Sequence, residues 1–335
     1  MRDVASRRVG VYGATGHTGR FVVNELRRRG WVPVRIARSP RRHDLSPEAE
    51  VRVAAIDDDS ALDRALSDVS VIINCAGPFL DTADAIVRAA LRTGAHYLDV
   101  TAEQLAAKAT LEQFANAAAA AGVVVAPAFA FYGGLADLLA TAAMGEWRSA
   151  DEITVAVALD SWWPTHGTRL TGKRNTARRF GVADGATAFV PDPPPRRSWA
   201  FPEPFDTQEV IELPFSEIVT IASHLRARDI HSYINLAPIA DIRNPDTPTP
   251  RAADESGRSA QTFVMDVVVK NGNEERRATA RGRDIYAFTA PLVVEAATRL
   301  VDGQARRTGT AAPGALFDAR DFLASLAHEL VVTFR

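Results

Sequence analysis

The sequence predicts an α/β fold: a doubly wound parallel sheet followed by an inserted α+β domain with an antiparallel sheet, then C-terminal helices returning to the first part. Three observations predict it. Apolar runs and helical patterns alternate through residues 1–145, a glycine-rich turn follows the first run, and the texture changes after Gly133-Gly134. The runs at 9–12, 32–37, 51–55, 69–74, 97–100 and 123–127 are short and apolar on both faces, as parallel strands covered by helices are. Helical patterns at 18–29, 60–66, 82–93 and 103–121 separate most of them. A helix over 135–144 then leads into alternation at 153–159, 209–213, 218–222, 233–239 and 262–269, which predicts strands with one covered face. Asn271-Gly272-Asn273 is a hairpin signal ahead of 274–280. The Pro-rich stretch 191–195 and the segment 243–257 read as loops. Helices are expected over 287–301 and 318–330, with a Gly/Pro loop at 309–314 between them.

The most informative segment is Gly13-Ala14-Thr15-Gly16-His17-Thr18-Gly19, between the first strand and the first helix. Gly13 permits a tight turn, Gly16 lets the backbone approach a pyrophosphate, and Gly19 lets helix and strand pack closely. The N–H groups and positive dipole end of the helix then hold phosphates. The spacing is GxxGxxG rather than GxGxxG, and the strand-turn-helix context points to a Rossmann-like dinucleotide site. Residues 1–147 are therefore read as a dinucleotide-binding domain, 148–285 as a substrate and dimerisation domain, and 286–335 as helices packing back on the first.

The second strand ends Arg35-Ile36-Ala37-Arg38-Ser39-Pro40-Arg41-Arg42, with no carboxylate until Asp44. Arg38 and Ser39 are placed for a ribose 2′-phosphate, which favours NADP(H) over NAD(H); the alternative is an ordinary basic surface loop. Asp57 is a candidate for the adenine edge, or part of a solvated helix start in Asp57-Asp58-Asp59-Ser60.

The charge balance, 39 basic against 41 acidic residues, gives no reason to expect a nucleic acid or an anionic membrane as partner. The single cysteine, Cys75, excludes an internal disulfide and a multi-cysteine metal site. No apolar segment follows the N-terminus, and the longest apolar run, 117–131, is broken by Gly122 and Pro127. A cytoplasmic protein without an integral membrane segment, acting on a small molecule and able to form a homodimer, is expected.

Several segments together resemble the saccharopine dehydrogenase-like oxidoreductases. The glycine loop matches their opening motif, as does Asn74-Cys75-Ala76-Gly77-Pro78-Phe79 after the fourth strand. Gly94-Ala95-His96-Tyr97-Leu98-Asp99-Val100-Thr101-Ala102-Glu103 is similar to the family's GxxYxDxxGE signature, and Gly309-Thr310-Ala311-Ala312-Pro313 to its late GxxxP turn. His17 replaces the usual aromatic residue of the loop, and Ala102 the glycine of the GE pair. The resemblance implies an NADP-binding site that takes in Gly13, Thr15, Gly16, His17, Thr18, Gly19, Asn74, Ala76, Gly77, Pro78 and Glu103. It further implies a reductase or dehydrogenase acting on an imine, carbonyl or enoyl compound.

Candidate catalytic groups lie where strand ends meet loops. Tyr132 carries the one hydroxyl of the Phe129–Tyr132 aromatic run and is a candidate proton donor, or a core residue. Asp99 is a candidate catalytic acid or a helix cap, and His166 an acid or a solvated loop residue. Arg169, Lys173, Arg174, Arg178 and Arg179 are candidates to clamp a carboxylate or phosphate; a solvated helix face is the alternative for Arg178 and Arg179. No tyrosine precedes lysine by four residues, and there is no HExxH and no Walker lysine. That leaves a non-catalytic dinucleotide sensor as the competing expectation.

Overall fold

Alternating strands and helices from the first segment build a seven-stranded sheet in a computed structural model, which describes residues 7–38 and 50–335. In chain order these are β1 (Arg8–Tyr12), α1 (His17–Arg28), β2 (Val32–Ala37), β3 (Val51–Val53), α2 (Asp59–Leu66), β4 (Val71–Asn74), α3 (Phe79–Thr93) and β5 (His96–Asp99). Next come α4 (Gln104–Gln113), α5 (Ala115–Ala120), β6 (Val124–Ala126), a π-helical turn (Phe131–Leu135) and α6 (Ala136–Met144). The one helix expected over 103–121 is thus two, broken at Phe114.

The second part begins with β7 (Ala150–Leu159), α7 (His166–Arg174), β8 (Phe180–Ala183), β9 (Ala186–Phe189), β10 (Arg196–Ala200) and β11 (Thr207–Glu212). It continues with α8 (Glu217–Ala222), β12 (Ala227–Asn235), α9 (Leu236–Arg243) and the hairpin β13 (Thr262–Asn271) and β14 (Glu274–Arg283). The chain closes with α10 (Ile285–Val301), β15 (Gly309–Thr310), α11 (Pro313–Leu316), α12 (Ala319–Ser325) and β16 (Val331–Phe334).

The first sheet runs β15-β6-β5-β4-β1-β2-β3, all parallel. Strand order reverses between β1 and β4, and in such sheets the crevice beyond the carboxyl ends at that switch point takes the ligand. The glycine loop leaves β1 and the 75–78 turn leaves β4, so the topology brings both motifs to one crevice.

The second sheet runs β10-β11-β12-β7-β13-β14-β16, with β8 and β9 branching from β12. It is mixed rather than antiparallel, because β7 and β12 pair in parallel. The long crossover between them, through α7 to α8, permits that pairing where a short turn does not.

Three expected elements are otherwise in the structure. Residues 218–222 form helix α8, not a strand; the Ile-Val-Thr-Ile run is buried on several sides, so periodicity gives no face to read. The strand expected over 233–239 ends at Asn235, whose side chain takes both backbone groups of Leu159, and α9 follows. The helix expected over 318–330 is short, and Val331–Phe334 becomes an edge strand beside β14.

Helices α6 and α10 fill the space between the two sheets. Leu138, Leu139, Ala140, Ala143 and Met144 of α6 are buried, as in a helix apolar on all faces. Helix α10 packs on α1, β15 lengthens the first sheet and β16 the second, so the C-terminal segment belongs to both layers. Among the described residues no helix is long and apolar enough to cross a membrane.

Candidate active site

The glycine loop has the geometry of a phosphate cradle. Gly13 sits at φ +79°, and a Cβ there would come within 3.0 Å of the Ala76 nitrogen, so the two turns at the switch point touch. A Cβ on Gly19 would lie 2.2 Å from the Gly13 carbonyl oxygen, which fixes the close approach of α1 to β1. Gly16 is the N-cap of α1 and supplies no side-chain acceptor, and the first turn carries no acidic residue. The N–H groups of His17, Thr18 and Gly19 are left for an anion. These residues fit a dinucleotide pyrophosphate.

His17 is held between two rings, 5.3 Å from that of Phe21 and 5.5 Å from that of Tyr286. Burial lowers its imidazole pKa, and Nε2 is buried without a partner. Thr15 and Thr18 are half-buried around the loop. Arg38, exposed at the end of β2, faces the Tyr12 hydroxyl closely enough to oppose the rise in its pKa that burial causes; Asp57, also exposed, adds to that rise. The cap of α2 is Asp58, which accepts from Ala61 N at 2.8 Å, leaving Asp57 free of that duty. Ser39, Arg41, Arg42 and Asp44 lie outside the described residues.

A buried polar network fixes the turn after β4. Asn74 Oδ1 accepts from Ala76 N at 3.0 Å, and its Nδ2 donates to Thr82 Oγ1 at 3.1 Å and to the Tyr97 hydroxyl at 3.3 Å. The Tyr97 hydroxyl donates to Asp99 Oδ2 at 2.9 Å. Asp99 Oδ1 accepts from Thr101 N at 3.0 Å and Ala128 N at 2.8 Å, tying the end of β5 to the segment after β6. Ala128 stands at φ +61°, a conformation that costs a non-glycine residue energy and is held here by the Asp99 bond. Burial raises the Asp99 carboxyl to about 6 despite the hydrogen bonds that oppose it.

Glu103 sits beneath the same turn. Its carboxylate accepts from Phe79 N at 2.8 Å and Leu80 N at 3.4 Å, the first amides of α3, and so caps that helix from outside. Both oxygens are therefore engaged with backbone below Gly77 and Pro78. Burial pushes the Cys75 thiol up, so the cysteine is a small hydrophobe here.

The second domain closes over this edge. Thr171 of α7 lies over Gly77, where a Cβ would meet its hydroxyl at 3.0 Å, and Arg174 pairs with Asp81 at 2.9 Å. The Tyr286 hydroxyl binds Trp162 Nε1 at 2.8 Å and Thr168 Oγ1 at 2.9 Å, linking the His17 contact to the Trp162–Thr168 segment. Ser216 N bonds Ala102 O at 3.1 Å and Ser216 Oγ bonds Thr101 O at 3.0 Å, which seats the start of α8 on the β5–α4 loop.

Of the catalytic candidates, Tyr132 lies in this seam. Its ring stacks on Phe215 at 4.2 Å and approaches Trp162 at 5.8 Å, and its hydroxyl is buried without a partner. Asp99 is enclosed in the turn network. His166 is exposed in the first turn of α7, whose cap is Thr165. Arg178 is exposed, whereas Arg179 is not on a solvated helix face: its guanidinium lies 4.4 Å from the Phe215 ring centroid and donates to Pro214 O at 2.6 Å.

Sequence reasoning missed Phe215, Glu217 and the linking role of Tyr286. A proline-flanked aromatic and a lone acid before an apolar run, Pro214-Phe215-Ser216-Glu217, was the available signal.

Residues 9–126 match the family model of the Saccharopine dehydrogenase NADP binding domain. The chain is 27% identical over 115 residues to a human "Saccharopine dehydrogenase-like oxidoreductase", a match covering 28% of this chain and 27% of that protein. The bovine protein of the same name is 25% identical over 150 residues, covering 38% of this chain and 35% of its own. The chain therefore matches about a third or less of the length of these curated relatives. Among solved structures, saccharopine dehydrogenase (L-Glu forming) from Saccharomyces cerevisiae superposes over 98% of this chain and 100% of its own. Its TM-score is 0.67 at 14% identity, which establishes the shared fold.

Proposed function

We infer, from a chain whose residues 9–126 belong to the saccharopine dehydrogenase NADP-binding domain family, that it is an NADP-dependent oxidoreductase acting on a small imine, carbonyl or enoyl compound. The observation that carries this reading is the meeting of two turns, 13–19 and 75–78, at the switch point of a parallel sheet, with a second domain closed over them. Bound there, NADPH supplies a hydride from the nicotinamide.

The chain's own groups have distinct parts in this reading. Gly13, Gly16, His17, Thr18 and Gly19 hold the pyrophosphate with main-chain N–H groups, and Arg38 with Ser39 takes the 2′-phosphate. Asn74, Asp99 and Glu103 act at one remove, fixing the Ala76–Pro78 turn that would line the cofactor crevice. Tyr132 holds the proton that goes to the substrate heteroatom or carbon, and the Phe215 and Trp162 rings exclude water around it.

Fluorescence titration with NADPH and NADH tests the cofactor assignment, and no saturable NADPH binding overturns it. Given binding, NADPH oxidation by a panel of imines, ketones and enoyl compounds separates an enzyme from a dinucleotide sensor. Residence in the cytoplasm as a homodimer belongs to the same reading. The exposed ring of Phe189 and the edge strand β10 support the dimer, and sedimentation velocity tests it.

A further inference from the structure

The His17 side chain stands between the glycine loop and the second domain. His17 opens α1, and its main-chain N–H is free for an anion in the cradle. Its ring meets that of Tyr286 edge-on, with centroids 5.5 Å apart and planes at 84°, while Phe21 of the same helix lies 5.3 Å away. Nε2 is enclosed there without a partner. A proton at that nitrogen would be a buried donor with no acceptor, so the ring works by packing and not by hydrogen bonding.

Tyr286 carries this contact onward. Its backbone is fixed at the start of α10, where Asp284 Oδ1 accepts from Tyr286 N at 3.1 Å and from Ala287 N at 3.0 Å. Its hydroxyl lies 2.8 Å from Trp162 Nε1 and 2.9 Å from Thr168 Oγ1. An indole N–H only donates, so the phenol oxygen accepts from Trp162 and its own proton is left for Thr168. Thr168 N in turn donates to Thr165 Oγ1, the cap of α7, at 3.0 Å. The Trp162 ring then stands 5.8 Å from that of Tyr132 and 5.9 Å from that of Phe215. A cradle residue is thus joined to the wall around Tyr132 through the rings of Tyr286 and Trp162.

We propose that His17 is a positioning residue that couples dinucleotide binding to the seating of the Trp162–Thr168 segment. The proposal rests on the NADPH reading of the cradle. With a pyrophosphate held by the first turn of α1, the His17 ring is fixed where it abuts Tyr286, and the Tyr286 hydroxyl in turn holds Trp162 and Thr168. The segment depends on such a hold, because it runs into α7, none of whose residues is buried. Linkage makes the effect reciprocal, so a change that loosens the segment weakens NADPH. A second connection bypasses His17: Thr171 lies over Gly77, and Arg174 pairs with Asp81 at the surface. Removing the His17 ring therefore cuts most of the coupling and not all of it.

The test is a double-mutant cycle on NADPH affinity, read by fluorescence titration. Tyr286→Phe keeps the ring against His17 and removes both hydroxyl bonds. It is expected to weaken NADPH by about fivefold or more in the wild-type background. After His17→Ala the same change is expected to cost no more than about twofold, the size of an uncoupled error. His17→Phe keeps an aromatic ring and is expected to keep the full dependence on Tyr286. Equal factors in the wild-type and His17→Ala backgrounds, or no effect of Tyr286→Phe at all, overturn the coupling. Hydrogen exchange on the unaltered protein gives a second measure that no variant's folding can confuse. Saturating NADPH is expected to slow the amides of 160–170 together with those of 13–20, and slowing confined to 13–20 overturns the coupling. Failure to bind NADPH overturns the cofactor reading instead.

Discussion

Replacing Asp99 by asparagine probes the acid at the centre of the turn network. Asp99 is fully buried, and burial raises its carboxyl from 3.8 to about 6 against the hydrogen bonds of Ala128 N, Thr101 N and the Tyr97 hydroxyl. A folded-state pKa above the unfolded one means that the native protein binds this proton more tightly than the unfolded chain. Its contribution to stability is whole below about pH 4 and is lost as the pH rises through about 6. A rise of about two units corresponds to about 3 kcal/mol, at about 1.4 kcal/mol per unit. Asparagine does not titrate, so the stability of the wild type minus that of Asp99→Asn is expected to fall by about 3 kcal/mol between about pH 4 and pH 7.5. Urea unfolding at a series of pH values, followed by tryptophan fluorescence without cofactor, measures the difference. Subtraction cancels the distant carboxylates that dominate acid unfolding. Losing the Tyr97 bond offsets the whole curve without giving it a slope. Glu103 also raises the Asp99 value, so the series is repeated in a Glu103→Gln background. A difference that stays flat across this range refutes the reasoning.

Three substitutions test the cofactor half. Gly19→Ala puts a methyl group 2.2 Å from the Gly13 carbonyl, so α1 must move, and NADPH affinity is expected to fall by at least about tenfold in a fluorescence titration. Arg38→Ala is expected to weaken NADPH by roughly tenfold or more, the value of a charge-assisted hydrogen bond, and to leave NADH binding unchanged; equal effects on both would place Arg38 outside the 2′-phosphate site. Glu103→Gln replaces a carboxylate cap on α3 by an amide that accepts with one oxygen only, and about 1–2 kcal/mol of stability is expected to go, read by urea unfolding at neutral pH. An unchanged unfolding midpoint would deny Glu103 its capping role.

The first sheet was legible because its central strands β1, β4 and β5 are buried on both faces and end in motifs that need particular residues. Gly13, Asn74 and Asp99 are small or polar groups where the backbone itself demands them, so their types betray their places. The second domain was read less well, for physical reasons. The run Ile218-Val219-Thr220-Ile221 lies under the seam between the domains, and burial on several sides erases the periodicity that separates a helix from a strand. The parallel pairing of β7 with β12 is a long-range choice that local alternation does not encode. Glu103 was legible as part of a motif but not in its task, because its partners are backbone amides 23 and 24 residues away in sequence. In sequence Arg179 is one of five cations that read equally as an anion clamp or, for Arg178 and Arg179, as a solvated helix face, and only the fold brings Phe215 beneath it.

The strands β15 and β16 lie in different sheets, yet only the segment 311–330 separates them. Each is stitched to its own layer by main-chain bonds, and Asp137 further pins the thread by accepting from Gly314 N at 2.7 Å while pairing with His224 at 2.6 Å. The two halves are consequently tethered near one end as well as through the continuous chain at α6. Pulling them apart as separate bodies would break backbone pairing. Any swing of one half on the other would also have to break the Arg174–Asp81 pair and the Ser216 bonds to Ala102 and Thr101.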